Sequence, residues 1–436
     1  MNMFPLAQRA STLLNIETVE LKPALHGFLL FVCLFAGYFM LRPVREAMGI
    51  AAGVENLQWL FTGTFFVMLA AVPLFAWLSA NVPRIHFIDW VYSFFCANLL
   101  IFALLFQGQE SEWLARTFYI WISVYNLFVV SVAWSLMADV FDSAQAKRLF
   151  AFIAAGASVG GLAGPALSAL LIGPLGESGL MLIAAALLGG AMAFKRSLMQ
   201  WRAVGGAGRP GAAPSESPRR PVPGNPFSGI TAVLKSPYLI GISAFVVLLA
   251  TTTTFLYFEQ ARVVAEYFPD RESQVRVFGI IDFVVQAGAL ITQLFITGRV
   301  AQRLGVSTLL AVVPLVMCAG FIGLMLAPSF VLIAALMIIR RIGEYALVRP
   351  GREMLFAPLD AQSKYKAKNV IDTIIYRGGD AVSAWAKSAL DMLGQGAGLA
   401  ALVGAICALA WGVIGWRLGK QADQQVPSRI GKPLAT

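Results

Sequence analysis

A chain of 436 residues that is 58% hydrophobic and only 13% charged cannot be an ordinary soluble protein, because soluble domains carry roughly 25% charged residues to cover their surface. Its mean hydropathy of +0.73 leads to the same class. The formal charge of +10 falls largely in short loops between apolar stretches, where it sets topology rather than marking a nucleic-acid surface.

A helix needs about 20 apolar residues to cross the hydrocarbon, and twelve stretches meet that need. After a cytoplasmic segment, 1–24, six spans lie near 25–45, 57–80, 85–107, 114–139, 148–173 and 177–200, forming an N-terminal lobe over 25–201. Residues 202–235 carry Gly205-Gly206, Pro210, Pro214, Pro218-Arg219-Arg220-Pro221 and Pro223-Gly224-Asn225-Pro226. Such a stretch cannot cross lipid and reads as a basic cytoplasmic linker. Six more spans, near 237–262, 276–302, 306–327, 329–350, 367–392 and 397–418, form a C-terminal lobe over 236–418, followed by a tail, 419–436. The first apolar run, Leu25 to Leu41, is followed by no A-x-A-like site and is read as a span, not a cleaved signal. The predicted fold is all-α integral membrane, twelve transmembrane helices in two six-helix lobes.

Basic residues gather in even-numbered loops: Arg84, Lys147, Arg148, the linker, Arg299, Arg303, Lys364, Lys366 and Lys368. Odd-numbered loops lean acidic, with Glu55, Glu110, Glu112, Glu177 and Asp391. The positive-inside rule then places both termini in the cytoplasm, and the chain is expected in the cytoplasmic (inner) membrane. The loop after span 7 is the exception, with Arg271 and Arg276 beside Asp270 and Glu272.

One string occurs twice. Leu41-Arg42-Pro43-Val44-Arg45-Glu46 ends span 1, and Val348-Arg349-Pro350-Gly351-Arg352-Glu353 ends span 10. A charge near the bilayer centre costs at least ~2.5 kcal/mol, so charges that persist there point to a polar cavity. Arg42 and Arg45 share a helix face, and their guanidinium forks suit phosphate or carboxylate, with Glu46 as counter-charge. The alternative is snorkelling from the end of the span. Span 10 adds Arg340, Arg341, Glu344 and Tyr345, then Arg349 and Arg352. On a continuous helix at 100° per residue, Arg340, Arg341, Glu344, Tyr345 and Arg352 share one face. Span 11 carries Asp372, Tyr376, Arg377, Asp380 and Lys387 on another such stripe. These groups either wall a cavity or form ion pairs between helices. Asp282 in span 8 and Glu259 at the end of span 7 are candidate coupling carboxylates if burial favours their protonated form. The threonines Thr251 to Thr254 are expected to bond their own backbone. Small-residue runs in span 5, such as Gly160-Gly161-Leu162-Ala163-Gly164, suit close helix packing.

Other chemistries lack their signatures. The cysteines Cys33, Cys96, Cys318 and Cys407 have neither ligand spacing nor a disulfide framework. His26 and His86 stand alone, and no phosphate loop is present. No enzyme activity, cofactor, metal or nucleic-acid partner is expected.

The halves echo each other. At an offset of about 217, Ala144-Gln145 meets Ala361-Gln362 and Gly160-Gly161 meets Gly378-Gly379. The string Gly298-Arg299-Val300-Ala301-Gln302-Arg303-Leu304-Gly305 is similar to the G-x-x-A-x-R-x-G signature of the major facilitator superfamily. Tyr38 to Gly49, with its Arg42, Pro43, Arg45, Glu46, Met48 and Gly49, together with Asn56-Leu57-Gln58-Trp59-Leu60-Phe61-Thr62-Gly63-Thr64, resembles the non-mitochondrial ATP:ADP antiporter family, whose bacterial members are NTP/NDP exchange transporters. That resemblance implies a major facilitator-like fold in which spans 1, 4, 7 and 10 line a cavity. It implies exchange of ATP-like and ADP-like nucleotides, coupled to protons in some members. The expected function is alternating-access transport of an anionic, phosphorylated substrate by a monomer in the lipid bilayer. The alternative is proton-coupled transport of another organic anion. The substrate-binding candidates are Arg42, Arg45, Glu46, Arg341, Glu344, Tyr345, Arg349, Arg352, Asp372, Tyr376, Arg377 and Asp380.

Overall fold

A computed structural model describes residues 17, 19–81, 84–108, 111–203, 228–359, 361–393 and 396–425. Most of the expected linker and the last residues of the tail lie outside them. The described residues are helical and contain no strand. In chain order the helices are α1 (Leu21–Ala51), α2 (Leu57–Asn81), α3 (Arg84–Leu105), α4 (Glu112–Val140), α5 (Ser143–Trp201), α6 (Ser228–Lys235) and α7 (Pro237–Tyr267). They continue as α8 (Arg271–Thr292), α9 (Gly298–Leu326), α10 (Phe330–Gly343), α11 (Arg349–Leu355), α12 (Ala361–Val370), α13 (Tyr376–Met392) and α14 (Gly396–Gln425). Three π-helical segments join α8 to α9 (Gln293–Thr297), α10 to α11 (Glu344–Val348) and α12 to α13 (Ile371–Ile375). The end of the expected linker is ordered, since Ser228–Lys235 is the helix α6.

Eight helical stretches among the described residues are long and apolar enough to cross a membrane. Two are far too long for one crossing, and each breaks at a glycine. At 1.5 Å per residue, the 59 residues of α5 would extend roughly 88 Å, about three hydrocarbon thicknesses. Gly176, with φ +63°, interrupts it just after Pro174. The second stretch breaks at Gly305, with φ +80°. A Cβ there would sit 2.6 Å from Asp423 Oδ2. That carboxylate, at the end of α14, accepts from Val306 N at 2.8 Å and from Ser307 N at 3.2 Å. It therefore caps the helix that restarts after the break.

Contacts divide the chain into two units. Unit 1 comprises Met1–Gly53, Phe66–Val222 and Phe268–Gln286; unit 2 comprises Val54–Phe65, Pro223–Tyr267 and Ala287–Thr436. In unit 1, α1 lies directly on α5. Gly156, Gly160 and Gly164 repeat every fourth residue and so share one helix face. Their missing side chains admit the backbone of α1. A Cβ on Gly160 would meet Val32 O at 2.5 Å and one on Gly164 would meet Ala36 O at 2.6 Å, while one on Gly156 would meet Phe28 O. This is the small-xxx-small packing that lets membrane helices gain dispersion contacts. The same device joins α9 and α14 in unit 2, where a Cβ on Gly415 would meet Leu310 O at 2.8 Å.

The exceptional charges after α7 are accounted for within unit 1. Arg271 pairs with Glu177 at 3.2 Å and Arg276 with Glu272, so the local basic excess is compensated. Asp270 opens α8 by accepting from Ser273 N at 2.8 Å. The Ser273 hydroxyl, then its backbone N–H, hold that carboxyl below its ordinary range.

Candidate functional site

In unit 1, α1 runs unbroken through Arg42-Pro43-Val44-Arg45-Glu46. Arg42 Nε lies 3.7 Å from Asp282 Oδ2 on α8, with Asp282 almost fully buried. Arg45 Nη1 donates to Glu46 Oε1 at 3.0 Å. Its guanidinium also stacks on Tyr119 of α4, 4.1 Å from the ring centroid, an arrangement that favours a desolvated cation. Glu46 is buried, and its second oxygen has no hydrogen-bond donor among the described residues. A buried carboxylate oxygen in that state is costly, and a proton or a ligand N–H or O–H would satisfy it.

In unit 2 the second copy of the string is built differently. The π segment Glu344–Val348 ends where the string begins, so Arg349 and Pro350 start α11. An α-helix turns a residue five positions on about 140° away. The wider π turn instead returns Arg349 to the face of Glu344, and Arg349 Nη2 donates to Glu344 Oε1 at 3.2 Å. Arg340 Nη1 donates to Glu344 Oε2 at 2.8 Å and to Thr253 Oγ1 at 3.0 Å. One carboxylate thus bridges two arginines of unlike exposure. The side chains of Glu344 and Arg340 are 7% and 5% exposed, whereas that of Arg349 is 57% exposed and lies over the Tyr345 ring at 4.4 Å. Arg341, next to Arg340, is also buried.

The bulge has its own supports. A π turn frees backbone carbonyls, and two of them are taken up by side chains of the neighbouring π segment. Gln293 Nε2 donates to Tyr345 O at 3.1 Å and Thr297 Oγ1 to Ala346 O at 2.7 Å.

The remaining candidates pair across or along helices of the same unit. Arg352 Nη2 lies 3.1 Å from Asp372 Oδ1, and Glu353 pairs with Lys368, not with Arg352. Arg377 Nη1 lies 3.7 Å from Asp380 Oδ2, with its guanidinium 5.8 Å from the Tyr376 ring centroid. Thr254 Oγ1 reaches Asp380 Oδ1 at 3.5 Å. The threonine run therefore divides. Thr251 and Thr252 bond back to Val247 O and Leu248 O as expected, while Thr253 and Thr254 turn to Arg340 and Asp380.

Arg340 and Thr253 were not among the substrate-binding candidates, yet they share the Glu344 cluster. The signal for Arg340 was its four-residue spacing to Glu344. Glu259 lies apart from that cluster, in a ring with Lys387, Arg262 and Asp391. In lipid, pairs like these bring little net stability, because desolvation offsets their attraction. Buried arginines neutralised by movable carboxylates suit reversible anion binding.

The fold is shared with solved membrane transporters. The nucleoside transporter NupG superposes with TM-score 0.62 at 12% identity, over 92% of this chain and 99% of its own. A bacterial homologue of the iron transporter ferroportin, in its inward-facing state, gives TM-score 0.63 at 13% identity over 92% and 98%. The chain therefore has the fold of these solved multi-pass membrane proteins. No family model matches the chain. The resemblance read from the Arg42–Gly49 string extends along the sequence. ADP,ATP carrier protein 1 of Chlamydia muridarum is 23% identical, aligned over 86% of this chain and 83% of its own. ADP,ATP carrier protein 1 of Chlamydia trachomatis serovar D is 24% identical over the same shares.

Proposed function

We propose that the protein is a secondary active transporter that exchanges nucleotides, a triphosphate against a diphosphate, by alternating access. The similarity to ADP,ATP carrier proteins over 86% of the chain carries this reading. The paired arginines support it. A nucleoside di- or triphosphate carries roughly −3 to −4, so several guanidinium groups must replace its hydration. Arg42, Arg45, Arg341, Arg349, Arg352 and Arg377 are assigned to phosphate recognition, with Arg340 holding Glu344 in place. Tyr345 and Tyr376 flank the arginines. Glu46, Glu344, Asp372 and Asp380 neutralise them when no substrate is bound. Phosphate then displaces carboxylate, and an empty, charged intermediate is disfavoured, which favours obligatory exchange.

Eight apolar stretches, two of them divided at Gly176 and Gly305, together with α10–α11 and α12–α13, are read as twelve crossings. Residues 25–201 and 236–418 are assigned to the two lobes, joined by the cytoplasmic linker 202–235. The protein is placed in the inner membrane as a monomer with both termini cytoplasmic.

Thermal melting of the purified protein tests substrate class. ATP and ADP are expected to raise the melting temperature; ligand at 100 times Kd adds about 2.7 kcal/mol. A rise with another organic anion, and none with ATP or ADP, would instead support the alternative carrier.

A further inference from the structure

Toward the C-terminal ends of α7 and α13 lies a closed ring of four charges. Lys387 Nζ is 2.9 Å from Glu259 Oε1 and 2.6 and 2.8 Å from the two oxygens of Asp391. Arg262 reaches the same two carboxylates, at 3.3 Å from Glu259 Oε2 and 3.2 Å from Asp391 Oδ2. Cations and carboxylates alternate round the ring, which is neutral when all four are ionised. Its two cations differ in access. Lys387 is 0% exposed, whereas Arg262 is 42% exposed.

A pocket reaches the ring. Glu259, Arg262 and Lys387 form one wall, with Glu266 of α7 beside them. The other walls come from α9, α10 and α14 and present Phe321, Leu324, Ile333 and Ala400, so no further titratable group faces the ring from those helices among the described lining residues. Burying a lysine costs several kcal/mol, and an apolar side chain would pack there more cheaply. The arrangement has a property that simple packing does not need. Each carboxylate is shared by two cations, so a proton on either one leaves Lys387 still paired with the other. The ring can gain one proton, through a pocket that reaches it, without stranding its buried cation.

We propose that this ring is the proton-coupling site, where Glu259 and Asp391 together take up one proton in each transport cycle. The coupling rests on the nucleotide-exchange reading. A triphosphate carries roughly one more negative charge than a diphosphate, and a proton moving with it cancels the difference. Proton binding at the ring does not depend on that reading.

Two measurements on the full-length protein test the assignment. In the first, liposomes hold ADP and a pH-sensitive dye, and labelled ATP is added outside. Wild type should acidify the lumen in step with ATP entry. E259Q, and K387M/E259Q, which removes one charge of each sign, should lose the acidification while ATP still enters. Exchange by wild type with no pH change, or acidification that survives in both variants, would overturn the proposal. In the second, melting of the nucleotide-free protein is followed from about pH 8 to about pH 5. A site that binds a proton in the folded chain at these pH values, and not in the unfolded chain, adds stability as pH falls. Wild type should therefore lose less of its melting temperature on acidification than K387M/E259Q. Identical pH profiles would mean that the ring does not titrate, and the proposal fails whatever nucleotides do. Failure of ATP to enter in any preparation, with the melting difference intact, would refute the nucleotide reading and leave proton binding at the ring supported.

Discussion

G160V is expected to yield little or no folded protein. A Cβ at this position would meet Val32 O at 2.5 Å and Ala36 N at 2.8 Å. Both atoms are backbone, so no rotamer change relieves the clash. Overpacking usually costs about 1–3 kcal/mol, and here α1 must move bodily away from α5. Neighbouring Gly156 and Gly164 face the same helix and bar a local adjustment. A Cβ at Gly189, on the same α5, would meet nothing within 4 Å. G189A should be neutral or gain up to about 1 kcal/mol from helix propensity. Size-exclusion profile and melting temperature in detergent distinguish the two outcomes. A well-folded G160V of wild-type stability would show that the α1–α5 contact is not the close packing described.

E344Q is expected to damage both stability and transport. Arg340 would remain in the interior with the Thr253 hydroxyl and a neutral amide. Removing one member of a buried ion pair costs about 3–5 kcal/mol. R340M/E344L, which removes both charges from the interior, should recover most of that stability. It should not recover transport, because Arg349 would have lost the carboxylate that neutralises it at rest. R349A should cost no more than about 1 kcal/mol of stability, since its side chain is 57% exposed. These variants thus separate what the cluster does for folding from what it does for the substrate. Equal melting temperatures for wild type and E344Q would contradict the burial argument.

The helical class and the apolar stretches were readable in the sequence because bilayer thickness fixes how long an apolar run must be. The break at Gly305 was half-visible. It is the last residue of the Gly298–Gly305 signature, but only the fold shows that its φ is positive and that Asp423 fills the space beside it. Glycines in span 5 announced close packing without naming α1 as the partner. The π segments left no such trace. Their extra residue per turn changes which side chains share a face, yet Glu344-Tyr345-Ala346-Leu347-Val348 reads as ordinary helix. A wheel at 100° per residue therefore put Arg352 on the Glu344 face and left Arg349 off it, whereas Arg349 is the residue that bonds Glu344. The ring around Lys387 was legible only as separate charges, with Lys387 on the span 11 stripe, Glu259 at the end of span 7 and Asp391 in an odd-numbered loop. Its α7 and α13 members lie more than 120 positions apart in the chain, and no local spacing reports the contacts between them.

Counterflow in proteoliposomes is the most direct test of nucleotide exchange by paired arginines. Vesicles loaded with unlabelled ADP should accumulate labelled ATP with wild-type protein and show none without internal nucleotide. R349A and R377A should insert and melt close to wild type, R42A should insert but melt lower because it removes a partner of buried Asp282, and all three should lose at least about tenfold in initial rate, equivalent to about 1.4 kcal/mol of substrate stabilisation. Wild-type rates in all three variants would contradict the assignment of these arginines to the substrate anion.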